Sequence, residues 1–150
     1  MTEKTPHSRS DGASVLIVED DRELASIWQQ YLQGIDCAVD VCGSVEDAEI
    51  LIHSNQYDVA IVDIFLREGD RVASEGGITL INRLRLKEIT DTENKRVMVL
   101  AITGAPERAF GKFNALDSVT DLSDCLLHKP IPLEALGKEV KRLHMAAMQL

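Results

Sequence analysis

Cysteine is scarce in this sequence, and its few cysteines follow no pattern associated with disulfides or zinc. Cys37, Cys42 and Cys125 are an odd number, and no two of them form a Cys-x-x-Cys pair. A disulfide framework needs an even set, and a structural zinc site needs closely spaced ligands. We therefore expect small buried thiols in a reducing compartment, which predicts a cytoplasmic protein.

Long apolar runs and an excess of positive charge are also missing. No stretch approaches the roughly 20 apolar residues of a membrane span, so no membrane association is expected. Residues 1–13 contain no apolar signal core and are predicted to be a flexible tail before a single domain over 14–150. The net charge of −9 argues against direct DNA binding, because phosphate contacts need clustered Lys and Arg. Protein partners or cations suit this charge better.

Short apolar segments alternate with amphipathic helical patterns along the rest of the chain. Strands are predicted at 14–18, 36–43, 57–63, 96–103 and 124–130. Helices are predicted at 23–34, 44–53, 77–88, 106–116 and 132–148, and the polar segment 66–77 is predicted to be a loop. Such alternation indicates a parallel sheet covered by helices on both faces, with its site beyond the carboxyl ends of the strands.

Chemically distinctive side chains follow four of the five predicted strands. They are Glu19, Asp20, Asp63, Thr103 and Lys129. Facing carboxylates form a hard oxygen site that suits magnesium, which keeps several waters and accepts phosphate oxygens. An aspartate between such a metal and a fixed lysine could attack phosphorus, since both cations would balance its charge. The pattern therefore indicates phosphoryl transfer onto Asp63.

Four motifs in register, LIVEDD, IVD, LAITG and HKP, give the chain a family resemblance. It resembles a response-regulator receiver domain of two-component signalling, in the CheY-like superfamily, from about residue 14 to residue 148. The resemblance implies a flavodoxin-like, doubly wound, five-stranded parallel sheet with the order 2-1-3-4-5. That strand order comes from the resemblance and not from the residue pattern.

The resemblance also implies a magnesium site. Glu19 and Asp20 match the acidic pair of the family, with Asp20 binding the metal directly and Glu19 directly or through water. Asp63 and the backbone carbonyl of Phe65 would complete the protein ligands. The next acid, Asp21, stands at a variable position of the motif and is predicted to cap the following helix.

The phosphate-handling residues follow from the same motifs. Asp63 matches the phosphoacceptor, Thr103 the switch hydroxyl, and Lys129 the charge partner of the phosphate. In this family the bond between that lysine and the following proline, here Pro130, is often cis, which the sequence permits.

The implied function is that of a stand-alone response regulator in a phosphorelay. A sensor histidine kinase or a histidine phosphotransfer protein would phosphorylate it, and it would signal by binding a downstream protein or by forming a homodimer. It would assist its own phosphorylation and dephosphorylation without being an enzyme in the ordinary sense.

Three departures from the family pattern keep alternatives open. Leu126 occupies the place of the usual switch aromatic, the loop over 67–77 is long, and Phe65 sets a large apolar side chain beside Asp63. A degenerate receiver or adaptor that works without phosphorylation remains one alternative. A magnesium-dependent phosphohydrolase with an aspartyl-phosphate intermediate is another, but those of the haloacid-dehalogenase type carry a second Asp where Phe65 stands.

Overall fold

The computed structural model describes residues 12–68, 71–73, 76–90, 96–104 and 122–149. Within these ranges the elements are β1 (Ser14–Val18), α1 (Arg22–Gly34), β2 (Ala38–Cys42), α2 (Val45–Ser54), β3 (Val59–Asp63), β4 (Leu66–Glu68), β5 (Arg71–Ala73), α3 (Gly76–Thr90), β6 (Met98–Thr103), β7 (Cys125–His128) and α4 (Leu133–Ala147). The helix predicted at 106–116 and most of the predicted N-terminal tail lie outside the described residues. None of the described helices is both long and apolar enough to cross a bilayer.

Five strands form one parallel sheet in the order β2-β1-β3-β6-β7. When only the five strands of this sheet are numbered along the chain, their order is 2-1-3-4-5. This is the order that the family resemblance implies, and it confirms the doubly wound fold. Every residue of β1, β3 and β6 is buried, because helices cover both faces of the central strands. This burial explains why these strands read as unbroken apolar runs in the sequence.

The helices α1 and α4 cover one face of the sheet. Trp28 and Leu32 of α1 and Leu136 and Val140 of α4 are each at most 2% exposed and belong to one apolar cluster. The strands contribute alternate residues to this cluster, such as Val15 from β1. The helical periodicity of the apolar residues therefore marked most of the buried face of each helix, whereas Ile27, which lies on the apolar stripe of α1, is 51% exposed.

The helices α2 and α3 cover the opposite face with a second apolar cluster. Ala48 of α2 and Leu80 of α3 pack there with Leu16, the neighbour of Val15 on β1. Tyr57 is also buried in this cluster, and its hydroxyl donates a 2.6 Å hydrogen bond to the Asp40 carboxylate on β2. That bond satisfies a phenol that would otherwise be buried without a partner.

Local capping explains where α1 and α2 begin. The Asp21 carboxylate accepts a 3.1 Å hydrogen bond from the backbone N–H of Leu24, which confirms its predicted role as the cap of α1. The Ser44 hydroxyl accepts a bond of the same length from the backbone N–H of Asp47 at the start of α2.

The segment predicted as a loop over 66–77 contains two short strands, and here the sequence prediction was wrong. β4 and β5 pair as an antiparallel hairpin, in which Leu66 stands opposite Ala73. Leu66 is only 2% exposed and packs in the second apolar cluster, so β4 is held against the domain. Strand pairing then satisfies backbone groups that an irregular loop would leave to solvent.

A buried ion-pair network joins α3 to the segment before β7. The Arg85 guanidinium contacts the Asp124 carboxylate at 2.6 Å and donates a 2.7 Å hydrogen bond to the Leu122 carbonyl. Arg96 contacts the other Asp124 oxygen at 2.7 Å, and the backbone N–H of Val99 donates to Asp124 at 2.8 Å. One carboxylate thus binds two cations and the backbone of β6.

Candidate functional site

The predicted site residues gather at one edge of the sheet, where β1, β3, β6 and β7 end. Glu19 is 2% exposed, Asp63 is 4% exposed and Thr103 is fully buried. Lys129 follows β7, and its backbone N–H donates a 2.8 Å hydrogen bond to the Thr103 carbonyl. The parallel arrangement brings these residues together because all four strands run towards the same edge.

Three carboxylates form a compact cluster at this edge. Glu19, Asp20 and Asp63 each offer an oxygen, and these oxygens lie within 4.8 Å of one another. Oxygens around one magnesium ion are at most about 4.2 Å apart, since each lies about 2.1 Å from the metal. The cluster therefore needs only a small contraction to bind the ion, and its all-oxygen donor set suits magnesium.

Lys129 lies between two of these carboxylates. Its Nζ is 2.6 Å from Glu19 Oε1 and 3.1 Å from Asp63 Oδ2. The peptide bond between Lys129 and Pro130 is cis, the isomer that the sequence permitted. The lysine thus places a positive charge beside the acid predicted to react with phosphorus.

Burial and charge act in opposite directions on these groups. Burial raises the pKa of Glu19 to about 7, while Lys129 and a hydrogen bond from the backbone N–H of Asp21 favour its charged form. Burial alone would lower the pKa of Lys129, but its contacts with Glu19 and Asp63 outweigh burial and raise it. Lys129 therefore remains a cation, and the repulsion among the crowded carboxylates favours the binding of a further positive charge.

Both oxygens of Asp63 are held in place. Oδ1 accepts a 2.9 Å hydrogen bond from the backbone N–H of Phe65, and Oδ2 contacts Lys129. A carboxylate fixed in this way beside a lysine can act as a nucleophile towards phosphorus once a second cation balances the two neighbouring acids. The Phe65 side chain is half-buried and packs against the second apolar cluster. The metal-binding role of its carbonyl stays a prediction.

Glycine at position 77 lets α3 begin directly against the site, a feature that sequence reasoning missed. The backbone N–H of Gly77 donates a 3.2 Å hydrogen bond to the Ile64 carbonyl. A Cβ atom at this position would lie 2.2 Å from the backbone oxygen of Asp63, which is not sterically possible. The Gly76-Gly77 dipeptide was the available signal for this close approach.

The switch elements of the site are only partly within the described residues. Thr103 ends β6, one residue beyond Ile102, which pairs with Asp63 at the end of β3. Leu126 on β7 pairs with Ala101 on β6 and packs against the second apolar cluster. The residues after Gly104 that would carry a switching movement lie outside the described part. The role of the Thr103 hydroxyl stays a prediction.

Asp21 and His128 take no part in the carboxylate cluster. Asp21 is exposed at the start of α1, as its role as a cap requires. His128 is an exposed residue at the end of the edge strand β7. Of the consecutive acids Glu19, Asp20 and Asp21, only the first two thus belong to the cluster.

The chain matches a protein-family model and is similar to several solved structures. The family model described as the response regulator receiver domain matches residues 15–141. No curated protein matches the chain. Among solved structures, the chain is similar to the receiver domain of the Francisella response regulator 1452, at 24% identity and a TM-score of 0.70, over 90% of this chain and 98% of that one.

Two further solved structures show the same fold. A CheY-like receiver domain protein from Methanospirillum hungatei is 16% identical, with a TM-score of 0.73, over 93% of this chain and 98% of that one. A two-component response regulator from Clostridium difficile is 25% identical, with a TM-score of 0.68, over 92% of this chain and 99% of that one.

Proposed function

Because the chain belongs to the response regulator receiver domain family, we propose that Asp63 accepts a phosphoryl group from a sensor histidine kinase or a histidine phosphotransfer protein. The phosphorylated domain then signals through binding to a downstream protein or through homodimerisation. The contact between Lys129 and Asp63, beside the acids Glu19 and Asp20, is the observation that carries this proposal.

The proposed reaction is a displacement at phosphorus. An Asp63 oxygen attacks, a new O–P bond forms, and the N–P bond of phosphohistidine breaks with its electron pair left on the imidazole nitrogen. Lys129, held between Glu19 and Asp63, pairs with a phosphoryl oxygen as negative charge gathers there. Magnesium held by Glu19, Asp20, Asp63 and the Phe65 carbonyl would neutralise charge on the same group.

The proposed output is a shift between two conformations. The Thr103 hydroxyl, at the end of β6, would donate to a phosphoryl oxygen and stabilise the conformation in which it reaches that oxygen. Leu126 offers no ring whose rotation could follow this movement. We therefore propose that the backbone after β6 carries the signal to the surface.

The phosphoacceptor assignment predicts a gain of one phosphoryl group by the wild-type protein. The protein is incubated with acetyl phosphate, with and without magnesium, and intact mass is measured. The gain is expected only with magnesium and is expected to vanish in Asp63→Asn, because an amide is not nucleophilic towards phosphorus. Asp21→Asn is the matched control, since asparagine caps a helix as well as aspartate does.

Two outcomes would contradict this assignment. Phosphorylation of Asp63→Asn to the wild-type level would place the acceptor elsewhere. Failure of the wild-type protein to gain mass with magnesium present would favour a degenerate receiver that works as an adaptor without phosphorylation.

The Phe65 side chain is predicted to prolong the phosphorylated state. The backbone N–H of Phe65 donates to Asp63, and the Phe65 side chain is half-buried, so we expect this side chain to limit the approach of water to the phosphoryl group. We expect Phe65→Ala to lose phosphate several-fold faster than the wild-type protein, and Phe65→Leu to be intermediate. The measurement is the decay of phosphoprotein after removal of the phosphodonor, and an unchanged rate in Phe65→Ala would refute the shielding role.

A further inference from the structure

The hairpin of β4 and β5 is attached to the protein beside Asp63. The backbone N–H of Ile64 donates a 2.9 Å hydrogen bond to the Ile102 carbonyl on β6, and the Ile64 carbonyl accepts a 3.2 Å bond from the backbone N–H of Gly77. The chain therefore leaves the sheet at Ile64 and returns to the same residue at Gly77. Both ends of the connection that contains the hairpin thus lie next to the proposed phosphoacceptor.

The base of the hairpin is held by core packing. Leu66, the first residue of β4, is 2% exposed in the second apolar cluster, and β4 contacts α3. Ala73, the last residue of β5, stands opposite Leu66 in the antiparallel pair. Displacement of this base would expose Leu66 to water, which is unfavourable. A protein that binds nearby therefore has to accommodate the hairpin where it lies.

The base of the hairpin falls within the area that a protein bound at Asp63 would cover. Leu66 is the third residue after Asp63, so their Cα atoms are at most about 11 Å apart. The Cα atoms of Leu66 and Ala73 are about 5 Å apart, because the two residues are paired. A standard interface covers about 800 Å² of each partner, which corresponds to a disc about 16 Å in radius. A protein that presents a phosphohistidine to Asp63 therefore meets the hairpin.

A small phosphodonor is not restricted in this way. Acetyl phosphate has only to reach Asp63 itself, and the half-buried Asp20 and the 25% exposed side chain of Lys129 give the carboxylate cluster access to solvent. Added bulk beside a site rejects the partners that clash with it and need not improve the contacts of the partner that fits. The hairpin can thus discriminate among protein donors without affecting a small donor.

We propose that the β4–β5 hairpin restricts phosphorylation of Asp63 to protein donors that have a recess for the hairpin. The inference rests on the proposed function, since it concerns which phosphohistidine protein reaches the same aspartate. The connection over 67–77 is longer than the family pattern, so a donor shaped for a shorter connection clashes with β4 and β5. The cognate donor fits around the hairpin, and small phosphodonors pass it.

A shortened variant of the full chain tests this proposal. Residues 67–72 are replaced by Asn-Gly, which joins Leu66 directly to Ala73. These two residues are paired, and Asn-Gly is the dipeptide that two-residue hairpin turns favour, so the chain closes without loss of the buried Leu66. The donors are acetyl phosphate and a panel of purified histidine phosphotransfer domains, each phosphorylated on histidine. The measurement is the rate at which each donor labels the receiver.

The expected result is a change in donor selectivity. We expect unrelated phosphotransfer domains to label the wild-type protein slowly and several of them to label the shortened variant at least about tenfold faster, because the clash is removed. Labelling by acetyl phosphate should stay within about twofold of the wild-type rate, since the groups that contact Asp63 are unchanged.

Two further variants separate the bulk of the hairpin from its side chains and from folding defects. Replacement of 67–72 by Thr-Thr-Asn-Gly-Thr-Thr keeps the length with neutral strand-forming residues and should exclude the same donors as the wild-type protein. Replacement of 68–71 alone by Asn-Gly joins Arg67 to Val72, which are also paired, and should give intermediate rates. This milder variant applies the same test if the shortest one unfolds, which urea unfolding would reveal.

Several outcomes would overturn the proposal. Equal labelling of the wild-type protein and the shortened variants by every phosphotransfer domain would refute the role of the hairpin alone. Slower labelling of the shortened variants would show that the hairpin supplies favourable contacts instead of a barrier, and admission of new donors by the full-length threonine variant would show that charge and not bulk selects. An absence of labelling by any donor, acetyl phosphate included, would refute the proposed function and this inference together.

Discussion

Replacement of Asp20 by alanine is expected to remove the magnesium binding that we expect calorimetry to detect in the wild-type protein. Asp20 is half-buried, whereas Glu19 and Asp63 are buried and share their charge with Lys129. Asp20 is therefore the acid of the cluster that a hydrated ion reaches most readily. Loss of a residue that only hydrogen-bonds to a metal ligand weakens metal binding about 10- to 100-fold. Loss of a direct ligand should therefore lower the affinity for magnesium at least about a hundredfold.

The neighbouring acid provides the control for this prediction. Asp21→Asn keeps the helix cap and removes one negative charge from the same surface, so it reports any general effect of charge. We expect it to bind magnesium about as tightly as the wild-type protein. Equal affinities of Asp20→Ala and the wild-type protein would show that Asp20 is not a ligand, and equal losses in the two variants would show a diffuse electrostatic effect.

Replacement of Asp124 by alanine is expected to destabilise the fold more than any surface change. The side chains of Arg85 and Asp124 are only 13% and 14% exposed, so their pairing takes place largely out of water. Without the carboxylate, Arg85 and Arg96 lose a shared partner and the backbone N–H of Val99 loses its acceptor. Removal of one partner of a buried pair costs about 3–5 kcal/mol of unfolding free energy, and we expect about 3 kcal/mol or more here.

Urea unfolding with two comparison variants tests this expectation. Asp124→Asn keeps an oxygen acceptor but removes the charge, so its stability should lie between those of the wild-type protein and Asp124→Ala. Glu49→Ala removes the exposed pair with Arg83 and should change the unfolding free energy by about 1 kcal/mol or less. A loss in Asp124→Ala no larger than that in Glu49→Ala would show that the network does not stabilise the fold.

The composition of the site was predictable from the sequence for a simple reason. Each of its charged residues follows an apolar run, and parallel strands bring their carboxyl ends to one edge. The sequence therefore predicts that Glu19, Asp20, Asp63 and Lys129 converge, and the structure brings them together. The roles of these residues in phosphoryl transfer were implied by the family resemblance and remain predictions.

Sequence reasoning failed where a residue's structure depends on distant partners. Leu66 lies in a polar segment, and only its burial in the second apolar cluster accounts for β4 where a loop was expected. Gly77 had no assigned role until its approach to the backbone of Asp63 was known. Neither position shows the periodicity on which a local prediction depends.

The sequence by itself determined the alternation of the five sheet strands with the described helices, most of the buried positions of α1 and α4, and the set of side chains at the strand ends. These features follow from hydrophobic periodicity and local capping, which act over a few neighbouring residues. Only the tertiary structure decided which groups meet across long separations: Lys129 with Glu19 and Asp63, Arg85 with Asp124, and Leu66 with the second apolar cluster. Such contacts depend on how whole helices and strands pack. The sequence around a charged residue does not differ between a residue that faces solvent and one that faces a partner.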